Sequence, residues 1–434
     1  MSTTEQGLPV DEQQPKAAPE KAPAELAAIH DFGAKLRQPS LIGRLKDYVN
    51  WQVALRDAQA KGGDIPDALA TLDDVPVSIN LDLTTACNYA CDHCVDMEIL
   101  NTGIRYDHDR LMDSLANLAR KGLKSVIVIG GGEPTVYPKF VEVMRAMKAL
   151  GLKLGVVTNG TGMDKILELA DVLGEGDWVR LSLDSGTDPT FQAMHSPKRP
   201  ITLDQICEGI PPIKAAGCKT PIGFSYIIVW KNCEANDKTI VENVQEMYTA
   251  TERARKYGFD YISFKPFLVR ADENNAEIVD IAADGGRVTD VMGAIRQQLD
   301  LSKALETETF KVVESTNLRV LANNSFRNYT KQPSQCHMQL FRQVLSPLGL
   351  FNCPVYRHVD QAKIGEKNSY ATATSVAETQ ASTAEIIGRF DASHECREVT
   401  CLYNSANWFI EDLIKNPAKL DDLLPAEERN DFFL

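Results

Sequence analysis

Short apolar runs alternate with longer stretches of helical period, and that alternation organises most of the chain. Six runs read as strands: residues 77–84, 125–129, 154–160, 178–185, 222–229 and 261–268. Between them apolar positions recur at helical spacing over about residues 108–122, 138–150, 163–173, 202–216 and 236–257. Strands alternating with helices of this length predict right-handed βαβ units and an α/β fold on a parallel sheet. Residues 1–24 hold four prolines among Ala, Glu, Gln and Lys and predict a disordered tail. Over residues 25–76, Phe32, Leu36, Ile42, Leu45, Val49, Trp51, Val53 and Leu55 recur at helical spacing and predict a helical lead-in. Near the other end, the Ser/Thr/Ala-rich stretch beginning at Ser369 to Ser375 reads as a loop. Residues 404–434 contain an amphipathic helix with Trp408, Phe409, Ile410, Leu413 and Ile414.

The first strand runs into Cys87-Asn88-Tyr89-Ala90-Cys91-Asp92-His93-Cys94, three cysteines spaced C-x3-C-x2-C. Three thiolates on one tight loop can hold a cubane iron-sulfur cluster by three irons and leave the fourth open. A structural zinc ion prefers four closed ligands, and only His93 is at hand as a fourth. The second strand runs into Gly130-Gly131-Gly132-Glu133-Pro134-Thr135. Glycines there let backbone approach a ligand closely and the carboxylate can accept from a cationic amine, although such a turn also reads as a tight βα connection.

Ligands of parallel α/β folds bind at the C-terminal ends of the strands. Thr158, Asn159, Ser182 and Asp184 fall there as candidates to line a pocket, each equally able to cap a turn. Lys265 and Arg270 are candidates for an anionic substrate group or for solvated surface charge, and His195 reads as structural.

On the cysteine spacing, the Gly131-Gly132-Glu133 turn and the six units, the chain resembles the radical S-adenosylmethionine (radical SAM) enzymes over residues 77–305. The resemblance implies a partial (β/α)6 TIM-like barrel and a [4Fe-4S] cluster on Cys87, Cys91 and Cys94 whose open iron is chelated by SAM. It also implies His93 near the adenine, and Gly131, Gly132 and Glu133 at the methionyl ammonium. The expected chemistry is reductive cleavage of SAM to methionine and a 5′-deoxyadenosyl radical. The Ser182-Leu183-Asp184-Ser185 run is similar to one that recurs in this family.

Cys336, Cys353, Cys396 and Cys401 form a second set, in an expected domain over residues 306–403. The segment from Ser346 to Cys353 has hairpin character, with Pro347 and Gly349 between apolar flanks. Four thiolates complete the ligands of an auxiliary [4Fe-4S] cluster, or of a structural zinc ion. The pattern resembles the first half of a SPASM domain, but three residues separate Gly349 from Cys353 where that family usually has four. Since only Cys396 and Cys401 follow, the shorter one-cluster "twitch" domain fits better. Cys207 and Cys218 read as small buried hydrophobes. Cys233, just after the fifth strand, is either a hydrogen donor to a substrate radical or a plain loop cysteine.

A formal net charge of −14 and the absence of a basic stripe argue against nucleic acid as a partner. No apolar stretch of about 18 residues and no signal-peptide pattern is present, so the expected location is cytoplasmic, with no membrane partner. Ten cysteines in a chain of 434 residues then point to clusters or catalysis rather than disulfides. The expected function is oxidation or rearrangement of a small polar metabolite (a sugar, aminocyclitol or nucleotide derivative) by an oxidoreductase that draws electrons from a flavodoxin or ferredoxin. The alternatives are a ribosomal-peptide maturase, an epimerase using Cys233, and a non-catalytic iron-sulfur scaffold or electron carrier. The maturase is disfavoured because residues 1–76 lack alternating strands for a leader-binding sheet.

Overall fold

The computed structural model describes residues 28–62, 64–271, 277–278 and 288–434, so the tail expected over residues 1–24 lies outside the described residues. Ten strands form one sheet: β1 Ser78–Leu81, β2 Ser125–Val128, β3 Lys153–Thr158, β4 Trp178–Ser182, β5 Ile222–Ile228, β6 Tyr261–Pro266, β7 Lys311–Glu314, β8 Arg342–Ser346, β9 Gly349–Phe351 and β10 Lys363–Gly365. Their order is β7-β6-β5-β4-β3-β2-β1-β8-β9-β10. All pairings from β7 to β8 are parallel, and β8-β9-β10 are antiparallel. This is the expected mixed α/β partial barrel. The six units are present, and the sheet continues on both sides. β7 adds a parallel strand beyond residue 305, and the hairpin strand β8 joins the barrel, pairing Ser78 with Arg342 through Leu81 with Leu345.

Period-two alternation divides each strand between two environments. Val126, Leu154, Val179, Leu181, Phe224 and Ile262 are fully buried under the flanking helices. Burying each contributes about 1.5–3 kcal/mol. The opposite positions face the barrel interior and are mostly polar: Ser78 and Asn80, Ser125, Arg180 and Ser182, Ser225, Ser263 and Lys265. Two large rings close one end of that interior, at the N-terminal ends of the strands. A Cβ at Gly155 would lie 2.3 Å from the Trp178 ring, and one at Gly223 would lie 2.1 Å from the Tyr261 ring. Both rings thus cross the neighbouring strand where no side chain exists. The Phe433 ring packs 5.5 Å from Trp178, and Ser125 Oγ donates to the Phe432 carbonyl at 2.7 Å.

Among the helices, His108–Lys121, Phe140–Ala149, Ile42–Lys61 and Asn404–Lys415 match the sequence pattern, and the helix at 163 is shorter, Met163–Leu167. The pattern over 202–216 is split into Leu203–Cys207 and Ile210–Ala215, because Pro211 and Pro212 cannot supply the N–H groups of a continuous helix. Two expectations are corrected. Residues 236–257 are helical only from Val244, as one 3-10 turn over Val244–Glu246 and an α-helix over Met247–Lys256. Before that, Glu234–Ala235 and Lys238–Thr239 pair as a hairpin, turned by Asn236 and Asp237 at φ 51° and 60°, residue types that tolerate this region. The stretch read as a loop from Ser369 contains the start of a 17-residue helix, Ala373–Arg389. Thr372 and Ser375 form its capping box, so the Ser/Thr residues that suggested a loop are the helix start signal.

The N-terminal segment fills the open side of the barrel. His30 Nδ1 meets Thr316 Oγ1 at 2.8 Å just beyond β7, and Phe32 packs 4.8 Å from Tyr403 on the other side. Lys35 pairs with Asp431 at 2.9 Å. Burial, then the cations Lys35, Arg180, Lys265 and Arg319, lower the His30 pKa from 6.5 to about 3, so it sits neutral in this seam. The seam's stability from this group is present above pH 6.5 and is lost as pH falls toward 3, because the opened state takes up the proton first. The opening free energy of residues 28–36, taken from hydrogen exchange after correction for the intrinsic pH dependence of amide exchange, should therefore fall between pH 7 and pH 4, and the His30→Gln variant should lose most of that dependence.

Candidate functional site

The cysteine loop leaves β1 and folds back over the strand ends. Cys87 N donates to Asn101 Oδ1 at 3.1 Å, Cys94 N to Cys91 O at 3.1 Å, and Ala90 N to His195 O at 3.2 Å. The hairpin after Cys233 latches it from outside, with Asn236 Nδ2 donating to Asp92 O at 2.8 Å and Lys238 paired with Asp92 at 2.5 Å. Arg270 reaches Val95 O at 3.2 Å, so it holds this loop. The Gly-rich turn docks underneath. Gly130 and Gly131 adopt φ 88° and 67°, and a Cβ at Gly132 would lie 2.1 Å from Ala86 O. Only glycine permits that approach.

Glu133 is fully buried and held by four donors. Thr135 N (3.0 Å), Thr135 Oγ1 (2.6 Å) and Thr158 Oγ1 (2.6 Å) reach Oε1, and Asn159 N reaches Oε2 at 2.7 Å. Burial raises its pKa although these bonds oppose the shift, so a cation placed against it restores a favourable ionised state. Thr158 and Asn159, expected as pocket lining, thus orient Glu133. Asn159 Nδ2 also ties to Asn88 in the cysteine loop at 2.7 Å. Ser182 ends β4 on the inner face.

Asp184, at φ 49°, accepts from Ile227 N at 2.7 Å and turns its second oxygen to His93 Nε2 (3.8 Å) and His195 Nε2 (3.5 Å). Burial works against its ionised form, but His93, His195 and the Ile227 N–H together hold its carboxyl below the usual range. His93 Nδ1 is buried with no hydrogen-bond partner, an orphaned polar atom beside the cysteine loop that fits a ligand. His195 Nδ1 lies 3.3 Å from Cys91 Sγ while Nε2 meets Leu183 O at 3.0 Å. The histidine read as structural therefore contacts a candidate ligand sulfur directly.

Burial pushes the thiols up. Cys94 rises to about 12, with Asp96 adding to the shift, and Cys91 rises well above its ordinary value, with Cys94 and Cys87 adding to it. Three such thiols side by side fit a metal centre that binds thiolate.

The second set also converges. Cys336, Cys353, Cys396 and Cys401 line one small cavity with the largely apolar walls Val355, Tyr356, Phe390 and Val399. Asn407 Nδ2 donates to Cys336 Sγ at 3.5 Å. Burial and then mutual repulsion push the Cys396 and Cys401 thiols well up, and Cys353 rises to about 12. Four such thiols facing one another fit a metal centre that binds thiolate, either a zinc ion or an iron-sulfur cluster.

A charged bridge joins the two sets, and the sequence reading missed it. Arg357, four residues after Cys353, pairs with Asp96, two after Cys94, at 3.0 Å. His358 lies 3.4 Å from the fully buried Asp82 and 3.6 Å from Asp96. A Cβ at Gly130 would strike both Asp82 Oδ1 and Arg357, which places the bridge against the Gly-rich turn. The available signal was Asp82 itself, a carboxylate in phase with Ser78 and Asn80 and set between the apolar Leu81 and Leu83. Cys233, 3% exposed, sits in the main apolar core beneath its hairpin. Cys207 and Cys218 are buried there too, as expected.

A partial barrel whose first strand feeds a three-thiol loop, over a Gly-Gly-Glu turn at the strand ends, defines the class. Residues 81–232 match the family model described as the Radical SAM superfamily. It is similar to an S-adenosylmethionine-dependent nucleotide dehydratase of Thermoplasmatales archaeon (strain ISO4-H5), 34% identical over 108 residues covering 25% of this chain and 38% of the relative. It is also similar to a tungsten-containing aldehyde ferredoxin oxidoreductase cofactor-modifying protein of Pyrococcus furiosus, 33% identical over 132 residues covering 30% of this chain and 35% of the relative. The chain thus spans under half the length of these curated relatives. Among solved structures, that of Streptococcus suis SuiB shares the fold, with a TM-score of 0.50 and 14% identity over 70% of this chain and 66% of that one.

Iron analysis after anaerobic reconstitution should give about eight irons per chain, and the variant with Cys87, Cys91 and Cys94 all changed to Ala should keep about four. One zinc and a single cubane would make the second site structural.

Proposed function

We propose that the chain cleaves SAM reductively at a cluster on Cys87, Cys91 and Cys94 and takes a hydrogen atom from a small polar metabolite, sugar-, aminocyclitol- or nucleotide-like, for oxidation or rearrangement. Cluster and SAM, when bound, supply the radical chemistry, and the protein binds, orients and shields. Glu133, fixed by Thr135, Thr158 and the Asn159 N–H, is placed to accept the methionyl ammonium. Gly131 and Gly132 let backbone reach that ligand, and His93, Ser182 and Asp184 form the adjoining wall. A flavodoxin or ferredoxin is the proposed source of electrons, in the cytoplasm, and no helix among the described residues is long and apolar enough to cross a membrane.

The observation that favours oxidation is the Arg357 to Asp96 pair at 3.0 Å. It fastens the segment that follows Cys353 to the loop that follows Cys94, so an auxiliary cluster on Cys336, Cys353, Cys396 and Cys401 would be tied to the first thiol set by a short stretch of chain, as an electron acceptor would be. Epimerisation with Cys233 as hydrogen donor is the second reading, supported by the hairpin that brings residues 234–239 against the cysteine loop.

Reconstituted protein reduced with dithionite should convert SAM to 5′-deoxyadenosine, and the triple Cys87, Cys91, Cys94→Ala variant should not. Normal cleavage by that variant would remove the basis of the assignment. Glu133→Ala should bind SAM at least about ten-fold more weakly while keeping its iron, because a charge-assisted hydrogen bond is lost.

Turnover of the true substrate in deuterium oxide separates the two outcomes. Oxidation predicts a product short of two hydrogens, with no deuterium at the reacting carbon and tolerance of Cys233→Ala. One deuterium there, lost in Cys233→Ala, would identify an epimerase.

A further inference from the structure

Two cations on the inner face of the barrel have no part in the site described so far. Alternation on β4 buries Val179 and Leu181 under the helices and turns Trp178, Arg180 and Ser182 inward. On β6 the same rule buries Ile262 and Phe264 and turns Tyr261, Ser263 and Lys265 inward. Inward positions of a small barrel are normally packed solid. Here Val157, Arg180, Ser182, Ile227 and Lys265 keep accessible surface although their strand neighbours have little or none. They adjoin one another by register, Val157 beside Arg180 and Ile227 beside Lys265, and so outline one open space above the Trp178 and Tyr261 floor.

Charge in that space does not balance. Arg180 has no hydrogen-bond or ion-pair partner among the described residues. Its Nε is buried without an acceptor, and its guanidinium carbon rests 5.3 Å from the Trp178 ring. Lys265 Nζ has one hydroxyl, Ser225 Oγ at 3.1 Å. Burial, and then Arg180, push the Lys265 ammonium well below the usual lysine value. Asp184 is the one carboxylate that acts on both cations, and it already answers the Ile227 N–H, His93 and His195. Two buried cations sharing one engaged carboxylate destabilise the empty barrel.

We infer that the closed end of the barrel receives an anionic group of the substrate, a carboxylate or a phosphate, between Arg180 and Lys265. The inference rests on the radical SAM reading and adds a substrate class and an orientation to it. Arg180 precedes Asp184 by four residues on a strand, so the anion lies on the order of 10 Å from the imidazoles beside the cysteine loop. A substrate that reaches both points has an acidic group at one end and its reacting carbon a sugar-phosphate or nucleotide length away.

The test uses the reconstituted full chain with saturating SAM, so that added anions do not report on SAM's own carboxylate. Inorganic phosphate and acetate are titrated separately at constant ionic strength against chloride, and the unfolding midpoint is followed. A saturable rise with phosphate alone supports a phosphorylated substrate, and one with acetate supports a carboxylate. Arg180→Gln and Lys265→Gln should each weaken the response about ten-fold, as expected for one lost charge-assisted contact, with Arg180→Lys retaining part of it.

Should the variants fail to fold, amine labelling of the wild-type chain gives a second readout. The responding anion should protect Lys265 saturably, and should not protect exposed Lys219. No response to either anion in the presence of saturating SAM, or no protection of Lys265, would overturn the inference. Cleavage of SAM is measured in the same samples, so failure of the radical SAM reading is seen separately.

Discussion

The parallel ladder between β1 and β8 is the pairing on which both thiol sets depend. Its register fixes the C-terminal segment against the first barrel strand, and each strand runs directly into its own cysteines: β1 toward Cys87, and the β8-β9 hairpin toward Cys353. Arg342, on β8, also reaches Asn80 on β1 with a side-chain hydrogen bond. Because the ladder is parallel, the turn after β8 lies at the same end of the sheet as the cysteine loop, and antiparallel β9 carries the chain back toward the start of β8 before Cys353. Arg357 and His358 then meet Asp96 and Asp82 as a consequence of backbone pairing made elsewhere.

Much of this was legible from residue order. The βα alternation predicted six parallel strands whose ends fall within a few residues of those observed, since a strand buried under helices must be apolar at every second position whatever its sequence neighbours do. The three-thiol loop and the Gly-Gly-Glu turn were legible because their spacing is local. Cys336 and Cys401 were grouped by count and then found on one cavity.

What the sequence hid was long-range or misleading in composition. No local signal says that residues 342–346 pair with residues 78–81, so the hairpin was assigned to a separate domain. Ser369 to Ser375 has loop composition, yet Thr372 and Ser375 use those hydroxyls to start a helix. Thr158 and Asn159 were chosen for a ligand, and their bonds to Glu133, 25 and 26 residues away, could not be read from the sequence. Lys265 was weighed both for an anionic substrate group and as a surface charge; the polar inner face was written in the alternation of Trp178, Arg180 and Ser182, but an apolar-looking parallel strand does not invite that inspection.

The separation of β1 from β8 also sets an order of events during synthesis. Asn80 and Arg342 are 262 residues apart, so at ribosomal rates of about 5–20 residues per second the cysteine loop emerges some tens of seconds before the strand that brings the second thiol set against it. During that interval the first three thiols are exposed on an unfinished sheet edge, without Arg357 against Asp96 and without the β8 ladder. The protein thus presents its two sets of thiols to the cell one after the other, the first while its neighbour has yet to be made.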